Sequence, residues 1–202
     1  MEFKILGCKI FISPLFVAFL CVVLLVDKTG VMVLGLLSVL IHESGHLFFM
    51  FLTKKKLETV NFQLGGIIIK SKGFSGYKYD FLVAIGGCFF NFLAFIIGFF
   101  CYYRFENEIS LLFSSANFAL MVFNLAPICG LDGMDLIRLK LLLKYPLEKV
   151  EKICNAISFI FIAISFCFSA VAVIFFHLNP SILICLIYLL ILTIIGIKKR
   201  ID

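Results

Sequence analysis

Two histidines and a glutamate form the pattern H-E-x-x-H at residues 42–46. In a helix, His42 and His46 lie on the same face one turn apart, so both imidazoles can bind one metal ion. Glu43 follows the first histidine, and in this pattern its carboxylate takes a proton from a metal-bound water. All three residue types are costly in an apolar segment, which argues against a chance occurrence. The pattern therefore predicts a hydrolytic metal centre with Glu43 as the general base.

An acidic residue is the natural third ligand, because a catalytic zinc ion takes three protein ligands and leaves a fourth position for water. Asp132 lies in a stretch at residues 124–133 that also contains Pro127 and two glycines. These residues predict that a helix breaks here, and irregular backbone at membrane depth is tolerated where it lines a wet, enclosed cavity. Asp135 is the competing ligand. The residue types thus predict a zinc site of two histidines and one aspartate.

The elements that must position these residues are predicted to be membrane helices. Hydrophobic residues make up 63% of the 202 residues and charged residues 15%, with a mean hydropathy of +1.16. A water-soluble globule could not bury so much apolar surface, so we predict an all-α polytopic membrane protein. Six apolar segments can be drawn, at residues 10–26, 31–52, 81–103, 109–127, 153–176 and 181–197. They leave room only for short loops, which predicts one integral-membrane domain over residues 1–202.

The basic residues predict the orientation of these segments. Sixteen of the 18 Lys and Arg residues fall at the two termini and in the second and fourth connections, whereas the other side holds only Lys28 and Arg104. The positive-inside rule then places both termini in the cytoplasm. We predict a multi-pass protein of the cell membrane. Contact with the lipid bilayer also explains the net charge of +6, so no nucleic-acid partner is predicted. His177, in an outer turn, lies on the wrong side to be a ligand.

Two further features lie near the predicted centre. Within residues 57–79, the side chains at 60–64 alternate between apolar and polar, and Gly65-Gly66 is followed by three isoleucines, which predicts a small β-hairpin between the second and third helices. The hairpin could pair with an extended substrate or could simply lie at the membrane interface, and the sequence favours neither. Asn91, in the third segment, needs polar partners in an apolar setting, so it either binds substrate backbone or holds two helices together.

These motifs together resemble the site-2 protease family of intramembrane zinc metalloproteases, and within it the stage IV sporulation protease type. The likeness rests on the H-E-x-x-H pattern within a span, on N-x-x-P followed by L-D-G at residues 124–133, and on G-x-x-x-N at residues 87–91. The six-span layout and the β segment extend it over nearly the whole chain. The chain stops shortly after the sixth segment, so we expect no CBS domain of the kind that many sporulation-type members carry.

The resemblance implies a role for each motif residue. It implies that zinc is bound by His42, His46 and Asp132, that Glu43 activates the water, and that Asn91 and Asn124 contribute near the scissile bond. The implied activity is that of a zinc metalloendopeptidase.

The implied substrate is a membrane-associated regulatory protein, such as a transcription-factor precursor or an anti-sigma factor, in regulated intramembrane proteolysis, with membrane regulatory proteins as further partners. A metal-ion transporter is one alternative, but the first, fifth and sixth segments offer no carboxylates along a path. A non-proteolytic membrane scaffold is the other alternative, and the intact motifs argue against it.

Overall fold

The computed structural model describes residues 2–5, 8–54, 57–63, 66–71, 76–176, 183–184, 186–191 and 193–194. These residues form two compact units, Met1–Phe123 and Asn124–Asp202, and each is described in turn. His177 lies outside the described residues, as does much of the sixth predicted segment, of which only short helical stretches between residues 183 and 194 are described. The single integral-membrane domain stays a prediction.

The first unit contains a four-stranded sheet in the order β1-β2-β3-β4. Its strands are β1 Glu2–Ile5, β2 Cys8–Ile12, β3 Leu57–Gln63 and β4 Gly66–Ser71. β2 and β3 pair in parallel, and the β1–β2 and β3–β4 pairs are antiparallel. The sequence predicts β3 from its alternation and β4 from the three isoleucines after the glycines, but residues 64–65, where the predicted turn begins, lie outside the described residues.

The first predicted helical segment, residues 10–26, is partly wrong. Its first residues belong to strand β2, and helix α1 covers only Pro14–Val26. Pro14 explains the boundary, because proline has no backbone N–H to donate to a continuing strand and its fixed φ suits the first turn of a helix. The 13 residues of α1 extend about 20 Å, against about 30 Å for the hydrocarbon core of a bilayer.

Three more helices complete the first unit: α2 Val31–Leu52, α3 Tyr77–Phe105 and α4 Glu108–Asn124. Asp27 holds the entry to α2, since its carboxylate accepts hydrogen bonds from the backbone N–H groups of Gly30 at 2.8 Å and Val33 at 2.9 Å. Gly30 has a φ of +76°, which favours glycine at the N-cap. The start of α2 is therefore fixed by an acidic cap, as expected where orphan N–H groups carry partial positive charge.

α2 and α3 cross at a pair of glycines. A Cβ atom added to Gly45 would collide with the backbone carbonyl of Gly86, and one added to Gly86 would lie 2.8 Å from the carbonyl oxygen of Gly45. Small residues let helix backbones approach closely in membrane proteins. Because Gly45 lies between His42 and His46 in the sequence, this crossing brings α3 close to the turn that carries the histidines.

The second unit is built from α5 Asp132–Leu142 and α6 Leu147–Phe176, preceded by a turn that follows α4. Met134 of α5 is buried against Val150 and Cys154 of α6. An ion pair between Arg138 and Glu151, at 2.5 Å, also joins the two helices. The turn carries Pro127, and α4 ends three residues before it, which agrees with the predicted helix break.

Three of the described helices are long and apolar enough to cross a membrane: Val31–Leu52, Tyr77–Phe105 and Leu147–Phe175. Two shorter apolar helices, Pro14–Val26 and Glu108–Asn124, accompany them. This pattern indicates a multi-pass membrane protein. Six spans remain a prediction, because one predicted segment is a strand and a short helix and another is described only in part.

Candidate metal centre

The two histidines of α2 face each other across one helical turn. Their Nε2 atoms lie 3.2 Å apart, and the rings meet edge to face with centroids 4.9 Å apart. His42 is 5% exposed and His46 is partly buried. A helix places residues i and i+4 one above the other, so the sequence spacing alone accounts for the shared face. The structure thus directs one nitrogen of each ring to the same point.

A backbone carbonyl on α3 sets the protonation of His46. The Nδ1 atom of His46 lies 2.8 Å from the carbonyl oxygen of Val83. A carbonyl oxygen only accepts hydrogen bonds, so the ring nitrogen facing it carries the proton and donates. In neutral imidazole the other nitrogen then keeps its lone pair. Val83 therefore leaves Nε2 of His46 as the nitrogen that can bind a metal, as backbone carbonyls do for zinc-bound histidines generally.

The two Nε2 atoms fit a zinc ion. Two imidazole nitrogens bound at about 2.0–2.1 Å with tetrahedral angles lie about 3.3 Å apart. The observed separation is 3.2 Å. Imidazole nitrogens are also among the preferred ligands of zinc. The pair therefore has the atoms and the spacing that a tetrahedral zinc site requires of two of its ligands.

Gly87 of α3 keeps the space beside the two histidines open. A Cβ atom at this position would lie 2.5 Å from Nε2 of His46 and 2.6 Å from Nε2 of His42. Any side chain at residue 87 would therefore occupy the position to which both nitrogens point. Glycine is the one residue that lets the α3 backbone approach the histidines so closely.

Asn91 lies one turn along α3 from Gly87, on the same face of the helix. It is fully buried, and neither atom of its side-chain amide has a hydrogen-bond partner among the described residues. Buried amides nearly always have partners, so an unpartnered one requires an explanation. An incoming ligand with backbone-like polar groups would satisfy it. The binding role of Asn91 stays a prediction.

Asn117 of α4 is a second buried asparagine. It is fully buried; its Nδ2 donates to the carbonyl oxygen of Phe113 at 2.9 Å, and its Oδ1 has no partner among the described residues. Ser114 on the same helix donates to the carbonyl of Phe95 at 3.0 Å. Asn117 was not among the predicted site residues, although an asparagine in an apolar helix is the same signal that identified Asn91.

Glu43 is partly buried on α2, next to His42. This placement keeps the carboxylate on the turn that carries the first histidine. Ser44, the next residue, is exposed, and its hydroxyl donates to the carbonyl of Ile41 at 2.6 Å.

The remaining predicted residues lie around the turn of the second unit. Asn124 is the last residue of α4, and Asp132, partly buried, is the first residue of α5. Asp135, the competing ligand, is exposed. Gly133 is buried, and a Cβ atom there would collide with the carbonyl of Leu125, so the start of α5 packs directly on the turn.

The structure brings together the predicted residues of the first unit. His42, His46 and Gly87 meet at one point, with Asn91 one turn away. Among the residues predicted from the second unit, Asp132 is partly buried at the start of α5. The sequence could not predict the contact of the Val83 carbonyl with His46, because every residue type has the same backbone carbonyl group.

Comparison with known proteins supports the architecture. No protein-family model matches the sequence, and no curated protein matches it significantly. Among solved structures, the chain is similar to the site-2 protease from Methanocaldococcus jannaschii, with 21% sequence identity and a TM-score of 0.60. The similarity covers 94% of this chain and 91% of the archaeal one. The chain therefore has a site-2 protease-like fold.

Proposed function

We propose that the protein is an intramembrane zinc metalloprotease that hydrolyses a peptide bond of a membrane-associated protein. The observation that carries the proposal is the pair of Nε2 atoms, 3.2 Å apart, beside a glycine whose Cβ would fill the space between them. The site-2 protease-like fold supports the same activity.

The proposed zinc ligands are His42, His46 and Asp132. Each offers one donor atom of a type that zinc accepts, an imidazole nitrogen or a carboxylate oxygen. Three protein ligands with a fourth position left for water are the usual arrangement of a catalytic zinc. Asp132 is preferred to Asp135 because it is partly buried at the start of α5, whereas Asp135 is exposed to solvent.

The chemistry divides between the zinc ion and the side chains. Bound zinc would supply Lewis acidity and lower the pKa of water. The Glu43 carboxylate accepts the proton of the attacking water and passes it to the leaving amine. The Asn91 amide, and by the sequence resemblance that of Asn124, donates to the carbonyl oxygen or binds the backbone of the substrate. A helical substrate unwinds first, because its carbonyl groups are otherwise hydrogen-bonded within the helix.

The finer features of the proposal come from the sequence. We propose a multi-pass protein of the cell membrane with cytoplasmic termini, of the sporulation type, acting on a transcription-factor precursor or an anti-sigma factor. The unwound substrate would pair with an edge strand of the sheet, β1 or β4, by strand addition.

The Glu43→Gln variant tests the activity. The full chain in detergent is incubated with a library of membrane-spanning peptides, and the products are identified by mass spectrometry. We expect the wild type to contain zinc and cleave, and E43Q to retain zinc and lose cleavage, because glutamine cannot accept the proton. Cleavage by E43Q would exclude Glu43 as the base.

The same preparation separates the alternative functions. Zinc transport by the reconstituted wild type without cleavage would favour the metal-ion transporter. A chain that neither binds zinc nor cleaves would favour the non-proteolytic scaffold.

A further inference from the structure

Four residues of α6 form a buried stripe, which we call the α6 stripe: Val150, Cys154, Ser158 and Ile162. They recur every four residues, so they lie on one face of the helix. Each is at most 4% exposed. Three of them are apolar and pack on the segment at residues 128–134, with Met134 against Val150 and Cys154 and with Ile128 against Ile162. Ser158 is the polar member in the middle.

The Ser158 hydroxyl binds the backbone of the turn. The N–H of Cys129 donates to Oγ of Ser158 at 2.9 Å, and the hydroxyl donates to the carbonyl oxygen of Cys154 at 2.9 Å. The Ser158 hydroxyl therefore accepts one hydrogen bond and donates another, and the residue is fully buried. A buried backbone N–H that loses its acceptor is costly, so the bond constrains the turn.

The turn at residues 125–131 also contains backbone hydrogen bonds of its own. The N–H of Ile128 donates to the carbonyl of Ala126 at 2.8 Å, and the N–H of Leu131 donates to that of Ile128 at 3.0 Å. Gly130 has a φ of +100°, so the path is irregular. These local bonds set the shape of the turn, whereas the bond from Cys129 to Ser158 holds it on α6 together with the packing of Ile128 on Ile162. Asp132 follows three residues after Cys129.

We propose that Ser158 is a positioning residue of the metal centre. By accepting the N–H of Cys129 it holds the turn that delivers Asp132 to the start of α5, and so it raises the affinity for zinc without touching the metal. This inference rests on the proposed function, in which Asp132 is a zinc ligand. Groups that orient metal ligands from the next layer commonly change metal affinity by about 10–100-fold.

Other contacts allow this role to be separated from folding. α5 is also held to α6 by Met134 in its apolar cluster and by the Arg138–Glu151 ion pair. Loss of the Ser158 hydroxyl therefore loosens the turn while α5 stays docked. A merely structural serine would change thermal stability, whereas a positioning serine changes zinc affinity in a chain that remains folded.

The test measures zinc affinity of the full chain in detergent by competition with a chromogenic chelator, and Co²⁺ absorption spectra report ligand geometry. We expect Ser158→Ala to weaken zinc binding by about 10-fold or more, with an altered Co²⁺ spectrum, in an apo-protein that stays folded and whose melting temperature falls only by the cost of one lost buried hydrogen bond. Zinc affinity within twofold of the wild type would overturn the inference. A Ser158→Ala chain with lowered stability but an unchanged Co²⁺ spectrum would also overturn it.

Two control variants test whether the effect of Ser158→Ala comes from the lost hydrogen bond to the Cys129 backbone. Ser165→Ala removes a hydroxyl two turns further along the same helix and should leave zinc affinity unchanged. Cys129→Ala removes the thiol, which lies 3.2 Å from Oγ of Ser158, but keeps the backbone N–H, so it should also bind zinc normally. A loss of affinity in Cys129→Ala equal to that in Ser158→Ala would assign the effect to the thiol instead.

A second substitution applies if Ser158→Ala does not fold. Ser158→Cys preserves much of the volume but offers a weaker acceptor, so we expect an intermediate loss of zinc affinity. Wild-type affinity in this variant would contradict the inference.

The Asp132→Asn variant separates this inference from the proposed function. If Asp132→Asn binds zinc as tightly as the wild type, the proposed ligand set fails. If Asp132→Asn weakens binding and neither Ser158 variant does, only the positioning role fails.

Discussion

The Nδ1 atom of His46 donates a hydrogen bond to the carbonyl oxygen of Val83, 2.8 Å away on the neighbouring helix. This bond couples the protonation of one candidate ligand to the packing of α2 on α3. It also orients the ring, so that Nε2 lies 3.2 Å from its counterpart on His42. A ring held in this way binds a metal without first losing rotational freedom.

Replacing either histidine should remove zinc. We expect the purified wild type to contain about one zinc ion per chain and the His42→Ala and His46→Ala variants close to none, because two ligands cannot form the three-ligand site of a catalytic zinc. His177→Ala is the matched control, since the sequence places this histidine away from the centre. Elemental analysis of protein purified in detergent measures the content. Full zinc occupancy in either α2 variant would place the metal elsewhere.

A methyl group at Gly87 should block the metal position. In Gly87→Ala the added carbon would lie 2.5–2.6 Å from both Nε2 atoms, which is closer than real contacts allow. We expect zinc affinity to fall by about 100-fold, measured by chelator competition. Gly35→Ala is the control, because an added Cβ on this α2 glycine meets nothing within 4 Å. Normal affinity in the Gly87 variant would mean that the metal does not bind between these nitrogens.

The glycine crossing should be sensitive to size. Gly45→Ala forces α2 and α3 apart, because the new carbon collides with the carbonyl of Gly86. Overpacking of this kind destabilises by about 1–3 kcal/mol, so the melting temperature in detergent should fall. Gly35→Ala again serves as the comparison and should be neutral or slightly stabilising, since alanine is the better helix former. Equal melting temperatures for the two variants would rule out close helix contact at Gly45.

Replacing Asn91 with leucine should lower the activity without lowering the stability. The Asn91 amide is buried and has no hydrogen-bond partner among the described residues. The Asn91→Leu substitution replaces this desolvated polar group with an apolar side chain of similar size. We expect a melting temperature equal to or above that of the wild type and a kcat/KM for peptide cleavage reduced by about 100-fold, the scale of losing one oxyanion donor. A melting temperature lowered by several degrees would instead indicate that the amide holds the helices together.

Acid should weaken the start of α2 through Asp27. The backbone N–H of Val33 lowers the pKa of the Asp27 carboxyl below its ordinary value of 3.8, with the N–H groups of Thr29 and Gly30 and the Thr29 hydroxyl acting in the same direction. Because the folded pKa is lowered, the stabilising contribution is present above pH 3.8 and is lost as the pH falls through the folded pKa.

Asp27→Asn measures this contribution. We expect the variant to melt below the wild type at pH 6 and the difference to shrink as the pH falls below 3.8 and through the lowered folded pKa, where the carboxylate becomes protonated. Melting curves in detergent from pH 6 to pH 2.5 give the two profiles. A constant difference across the range would exclude the charge as the cause.

The sequence predicted the parts of the molecule that depend on spacing along one element. The bounds of α2 agree with the predicted segment at residues 31–52, because a predominantly apolar run of that length predicts a membrane-spanning helix. The helix break before Pro127 follows from proline chemistry. The facing histidines follow from helical geometry, so the first half of the candidate centre was predictable.

Features that depend on which faces meet were not predictable. Strand β2 was assigned to a helix because its apolar residues continue into α1, and only pairing with β3 distinguishes the two. Gly45 and Gly86 look like ordinary helical glycines until their helices cross. The contact of Ser158 with Cys129 joins residues 29 positions apart, and no local pattern indicates it.

The Gly45–Gly86 contact has a consequence for how the protein responds to its lipid surroundings. The two helix backbones touch at the turn that carries both imidazoles. A change in the distance between the helix axes therefore also changes the shape of the metal pocket. A bilayer whose thickness or lateral pressure tilts α2 against α3 would therefore change the geometry of the pocket. Catalytic competence would then depend on membrane composition at temperatures where the fold is fully intact.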